Sequence, residues 1–183
     1  MKVYIDTGVL IDYLSPQAIA GSTLRSTSRR GRTPQKLFED AEKVLKMIAS
    51  SHTGATSSLT YYEVEEALFK QLTSVATGMA NASKLRVLAA RSIVPQTVTA
   101  VRFFGINVLD LTAGIVEAQL KNVELYIRGI RAADALHIAT ASDFNAEVLI
   151  SVDEDVLKLD SVITNKSGNP IKFCDTDVTL TIL

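Results

Sequence analysis

Strand-like and helix-like segments take turns along this chain, and that alternation constrains its fold more tightly than any other feature. Val3-Tyr4-Ile5 is a short apolar run with no polar interruption, as expected of a buried strand, and Val9-Leu10-Ile11 with Tyr13-Leu14 continues it as a helix. The spacing of Leu37, Ala41, Val44, Leu45 and Ile48 predicts a second helix, residues 54–59 a second strand, and Tyr61, Val64, Leu68 and Leu72 a further helical stripe. Residues 80–100 are helical in character and carry Pro95, and residues 106–111, after Gly105, read as a third strand. Helices are predicted over 113–127 and 132–144, a buried strand over 147–152, and a last strand over 171–174 after a turn at Ser167-Gly168-Asn169-Pro170. Such a chain predicts an α/β fold with a central, mostly parallel sheet flanked by helices on both faces. Ligands of such sheets sit at the carboxyl ends of the strands.

With 183 residues, 47% of them hydrophobic, one domain spanning the whole chain is expected. Residues 15–36 interrupt it with Ser, Thr, Gly and Pro and with Arg25, Arg29, Arg30, Arg32 and Lys36, a polar basic insertion without an acid between Asp12 and Glu39. The chain as a whole balances 19 Lys+Arg against 20 Asp+Glu, so contact with a polyanion needs a local patch or a metal. Cys174 is the only cysteine, which excludes an intrachain disulfide and a cysteine-based zinc cluster and points to a reducing cytoplasm. Asp6 interrupts the apolar stretch that a signal peptide needs, and no run is long enough to span a membrane.

The acids supply the chemistry. Asp6 directly follows the first strand and Asp153 the fourth, Glu63 lies at the start of a helix that follows a strand, and Asp134 opens the helix that leads into the fourth strand. All four are therefore predicted at the carboxyl rim of the sheet. Ionised carboxylates crowded there repel one another until protons or cations relieve them, and a hard divalent cation with oxygen ligands, Mg²⁺ or Mn²⁺, is the direct remedy. Such ions serve phosphoryl chemistry. Each acid also has a structural role open to it. Glu63 completes a capping box with Thr60, Asp134 complements a helix dipole, Asp6 caps the first helix, and Asp153 belongs to an acidic turn. His137, between Leu136 and Ile138, is expected to be a packed helix histidine. Asp6-Thr7-Gly8 matches the short aspartic-protease signature, but that fold is all-β and this pattern is rich in helix.

With these residues in place, the chain resembles the PIN-domain nucleases, particularly the VapC-like toxins of prokaryotic toxin–antitoxin pairs. The segment from Tyr4-Ile5-Asp6-Thr7-Gly8 to Asp12-Tyr13-Leu14 is similar to the family's first motif, and Ser57-Ser58-Leu59-Thr60-Tyr61-Tyr62-Glu63 to its second. Ala133-Asp134-Ala135-Leu136-His137-Ile138-Ala139 resembles the third, the most specific of the set, and Leu149-Ile150-Ser151-Val152-Asp153 the fourth. The resemblance implies a Mg²⁺- or Mn²⁺-dependent endoribonuclease in which Asp6, Glu63, Asp134 and Asp153 form the acidic quartet. Thr7 and Ser151 would supply hydroxyls that position a metal-bound water or a phosphate oxygen. It further implies RNA as substrate, a homodimer, and an antitoxin protein as inhibitory partner. Gly8 stands where the family often has Ser or Asn, and Ser151 where Thr is more usual. The 15–36 insertion makes the chain longer than a typical toxin of this kind. That length leaves room for a housekeeping RNA-processing nuclease. A catalytically silent PIN-like module, binding RNA or protein through the basic loop, is the other reading.

Overall fold

An apolar run as unbroken as Val3-Tyr4-Ile5 calls for burial on both sides, and all three side chains are inaccessible to solvent. The computed structural model describes residues 1–15, 28–75, 78 and 80–183. In chain order its elements are β1 (Lys2–Ile5), α1 (Thr7–Leu14), α2 (Pro34–Ser51), β2 (Thr53–Ser57), α3 (Leu59–Val75), α4 (Ala82–Arg91), α5 (Ile93–Phe103) and β3 (Asn107–Leu109). Next come α6 (Ala113–Leu120), α7 (Val123–Ile127), α8 (Ala132–Asp143), β4 (Val148–Ile150), α9 (Glu154–Leu157), β5 (Lys172–Cys174) and α10 (Thr176–Ile182).

The five strands pair in the order β3-β2-β1-β4-β5, and each neighbouring pair is parallel. The chain builds outward from β1 to β3, then crosses back to lay β4 on the other side of β1. That reversal puts a topological switch point between β1 and β4, where doubly wound sheets open a crevice at their carboxyl ends. Side chains alternate across the sheet. Val3, Ile5, Val148 and Ile150 pack with Val44, Leu45 and Ile48 of α2 and Val101 of α5. Tyr4, Leu149 and Phe173 turn the other way onto Ile138 and Ala141 of α8 and Val156 of α9. Both faces are thus covered, as the pattern predicts.

Where periodicity misplaces a boundary, capping explains it. α2 begins at Pro34, inside the predicted loop, because the Thr33 hydroxyl accepts the Lys36 N–H and Pro34 occupies the first helical position, where no N–H is needed. Pro95 sits in the first turn of α5, which is equally tolerant, so the 80–100 stretch breaks at Ser92 instead. The predicted 113–127 helix divides at Lys121 and Asn122 into α6 and α7. The short helices α9 and α10 are additions that the periodicity does not announce.

Residues 16–27 of the insertion, Arg25 among them, lie outside the described residues. Residues 29–32 form a tight hairpin. Arg29 and Arg32 exchange backbone hydrogen bonds of 3.0 and 2.9 Å across Arg30 and Gly31, which have φ of 48° and 75°, the paired positive values of a type I′ turn. The positive charge expected here is largely neutralised internally. Arg29 donates to Asp12 Oδ2 at 2.8 Å and to Asp175 Oδ1 at 3.1 Å. Arg32 donates to Asp175 Oδ2 and, at 2.9 Å, to Thr176 Oγ1, with Asp40 Oδ2 at 3.4 Å. Both guanidinium groups are nearly buried, so replacing them perturbs the fold before it perturbs any surface.

Candidate metal centre

Asp6 leaves β1 at the switch point and takes on two structural tasks at once. Its Oδ1 accepts the Thr7 N–H at 2.7 Å, capping α1, and its Oδ2 accepts the Ser151 hydroxyl at 2.6 Å from the end of β4. Ser151 Oγ in turn accepts the Asp153 N–H at 3.1 Å. A hydrogen-bonded seam therefore ties the ends of β1 and β4 together through the first and last of the predicted site residues.

Glu63 comes from the second turn of α3, not the first as the spacing predicts, and not as a cap partner. The helix begins at Leu59, whose N–H is accepted by Ser57 Oγ, and the Thr60 hydroxyl turns inward to Thr56 Oγ1 at 2.8 Å and Thr7 Oγ1 at 3.1 Å. The capping box expected from Thr60 and Glu63 is absent, because Glu63 is drawn across the crevice. Its Oε2 accepts the Thr7 hydroxyl and lies 2.7 Å from His137 Nε2.

His137 corrects the expectation more strongly. It is buried and packs edge-on against the Tyr4 ring, as a packed histidine should, and its two ring nitrogens also meet polar partners. Tyr4 Oη lies 2.8 Å from Nδ1, and Thr7 Oγ1 and Asp6 Oδ1 lie 3.2 and 3.8 Å from Nε2. Asp6, Glu63 and His137 each offer one ligand atom, and these lie within 4.8 Å of one another. The sequence does carry a signal for this: His137 is the third residue after Asp134, which puts both on one face of α8.

Asp134 and Asp153 are outside that tight trio, but Asp134 feels it. Asp134 occupies the first turn of α8, and its carboxyl is pushed up from 3.8 to about 6 by burial and by the charges of Asp6, Asp153 and Glu63, against the opposing pull of His137. Asp153 caps α9, its Oδ1 accepting the Asp155 N–H at 2.8 Å. The hydroxyls of Thr7 and Ser151 both donate to carboxylates here, which makes them supports of Glu63 and Asp6.

Burial raises the Asp6 carboxyl, with Glu63 adding to the effect and His137 and Ser151 working against it. Glu63 goes the other way: burial would raise it, but the hydrogen bond and charge of His137 and the Thr7 hydroxyl outweigh burial and lower it. His137 moves up, since Glu63 and Asp6 outweigh the burial that disfavours its charge. The result is a crowd of carboxylates with one imidazole as internal counter-charge. A donor set of two carboxylates and one imidazole could hold a metal ion.

Gly8 has a steric reason. A Cβ there would lie 2.1 Å from Val152 Cγ2. Gly8→Ser is expected to destabilise the protein by about 1 to 3 kcal/mol, the usual range for overpacking. Chemical denaturation checks this, and an unchanged midpoint would show that Val152 yields freely.

No protein-family model matches the chain, and no curated protein matches its sequence. Among solved structures, the crystal structure of VapBC2 from Rickettsia felis, bound to a DNA fragment from its promoter, contains a similar chain. The TM-score is 0.51 with 15% identity, over 96% of this chain and 98% of that one. The two chains share a fold. Among the described residues no helix is long and apolar enough to cross a membrane.

Proposed function

We propose that this chain is a Mg²⁺- or Mn²⁺-dependent endoribonuclease of the PIN type, acting as a VapC-like toxin, with Asp6, Glu63, Asp134 and Asp153 holding the cation. The observation that carries this reading is the meeting of Asp6, at the end of β1, with Glu63 of α3 and His137 of α8, each offering one ligand atom within 4.8 Å of the others; the raised carboxyl of Asp134 is consistent with further acids nearby. The shared fold with a VapBC2 chain supports it, and that neighbour's assembly is the support for an antitoxin partner. A homodimer belongs to the same proposal. A bound cation would supply a polarised water and neutralise charge developing on the scissile phosphate. The chain's own part is to hold its oxygens in place before the cation arrives. Ser151 fixes Asp6 Oδ2, Thr7 fixes Glu63 Oε2, and the α1 and α9 caps fix Asp6 and Asp153.

Calorimetric titration with Mn²⁺ tests the site, and cleavage of single-stranded RNA with Mn²⁺ or with chelator tests the reaction. Binding is expected to be strongest at pH 8 and to weaken as pH falls through about 6, where a proton on Asp134 competes with the cation. No heat in the millimolar range at pH 8 would remove the metal site. Binding without cleavage would favour the silent module instead.

A further inference from the structure

We propose that His137 is a positioning residue of this centre rather than a metal ligand, its Nε2–H pinning Glu63 Oε2 so that Oε1 is the oxygen offered to the cation. The inference rests on the metal-site reading above. It starts from the proton count of a single contact. A carboxylate carries no hydrogen, so the 2.7 Å approach of Glu63 Oε2 to His137 Nε2 needs the hydrogen on nitrogen. A ring nitrogen that bears a hydrogen has no lone pair for a metal.

The other side of the ring keeps this arrangement in either charge state. Tyr4 Oη, fully buried on the sheet, lies 2.8 Å from Nδ1. It donates its O–H to a neutral ring and accepts Nδ1–H from a charged one, so the imidazole plane is held in both cases. Thr7 adds a second donor to the same Glu63 oxygen. Both hydrogen bonds to Glu63 thus converge on Oε2. Depth agrees with this division of labour: the His137 side chain is 2% exposed, against 11% for Asp6 and 20% for Glu63, so the ring lies beneath the carboxylates and not beside them. The chain Tyr4–His137–Glu63 links the middle of β1 to α8 and α3, and so turns the rigidity of the sheet into a fixed carboxylate orientation.

Mn²⁺ serves as the probe. Pulsed electron paramagnetic resonance of Mn²⁺ bound to the native protein is expected to show no coupling from a directly coordinated ¹⁴N. In parallel, His137→Leu is expected to weaken Mn²⁺ binding roughly tenfold to a hundredfold, whereas His137→Gln, which keeps an N–H donor, should hold it within about threefold of native. Thermal melting accompanies both variants. A coordinated-nitrogen signal in the native protein would overturn the positioning role, and so would a folded His137→Gln that binds as poorly as His137→Leu. The metal-site reading fails separately, by the absence of any Mn²⁺ binding to the native protein.

Discussion

Asp134→Asn is expected to abolish RNA cleavage and, in chelator at pH 8, to raise the melting temperature. The two effects share one cause. Asp134 is the acid on which the others press, its carboxyl lifted from 3.8 to about 6 by burial and by Asp6, Asp153 and Glu63. A folded-state value above the unfolded one means that the folded protein holds its proton more tightly, so stability falls as pH climbs from about 4 to about 6 and stays lowered above that. A rise from 3.8 to about 6 corresponds to about 3 kcal/mol without screening, and the carboxyl's partial exposure reduces this to about 1 or 2. For a chain of this length that is a gain of roughly 3 to 6 °C on removing the charge. Removing one cation ligand meanwhile forfeits transition-state stabilisation on the order of a thousandfold or more in rate. Added Mn²⁺ should stabilise the native protein and not the variant, so the order of melting temperatures inverts. A variant that melts below native in chelator would show that these acids do not repel one another, and residual cleavage would place the chemistry elsewhere.

The range over which each signal acts decides how much of this site is legible in the sequence. The strands are visible, and so is the placing of Asp6 after Ile5, Asp134 in the first turn of α8 and Asp153 near the end of β4, because each lies beside the element that delivers it. Local order is enough there. Spacing alone assigns Glu63 to a local cap with Thr60, and only the 56-residue span to Thr7 and the 74-residue span to His137 reveal where it goes. His137 is masked by Leu136 and Ile138, since periodicity registers burial and is blind to what a buried ring touches. α10 is hidden differently: Val178-Thr179-Leu180-Thr181-Ile182 alternates with the period of a strand, and only the Asp175 cap and the packing of Leu180 and Leu183 on the core make it helical. The basic insertion misleads because its arginines find their acids across as many as 146 residues, which no local charge count detects.

Those distant partners lead to the largest expected effect on stability. Asp175→Ala is expected to lower the melting temperature by roughly 10 °C, because about 3 to 5 kcal/mol is lost when one partner of a buried ion pair is removed. Asp175 is at the centre of the network: Oδ1 accepts from Arg29 and from the Thr176 N–H that caps α10, while Oδ2 accepts from Arg32 with Arg30 at 3.5 Å. Burial alone would push its carboxyl up, but Arg29, the Thr176 amide and Arg32 together outweigh burial and hold it below its ordinary range. Its contribution is therefore present above the unfolded value near 3.8 and lost as pH falls through the lower folded value, the reverse of Asp134. Without it, the acidic partners left to the two nearly buried guanidinium groups among the described residues are Asp12, Asp40 and the partly exposed Asp177, the hairpin at 29–32 loosens, and α10 loses its cap. Asp175 itself bonds to none of Asp6, Glu63, Asp134 and Asp153, so Mn²⁺ affinity should be unchanged in the variant below its melting point. A melting temperature within a degree or two of native would mean that Arg29 and Arg32 are satisfied without Asp175. A parallel loss of Mn²⁺ binding would mean that the insertion supports the carboxylate rim as well as the fold.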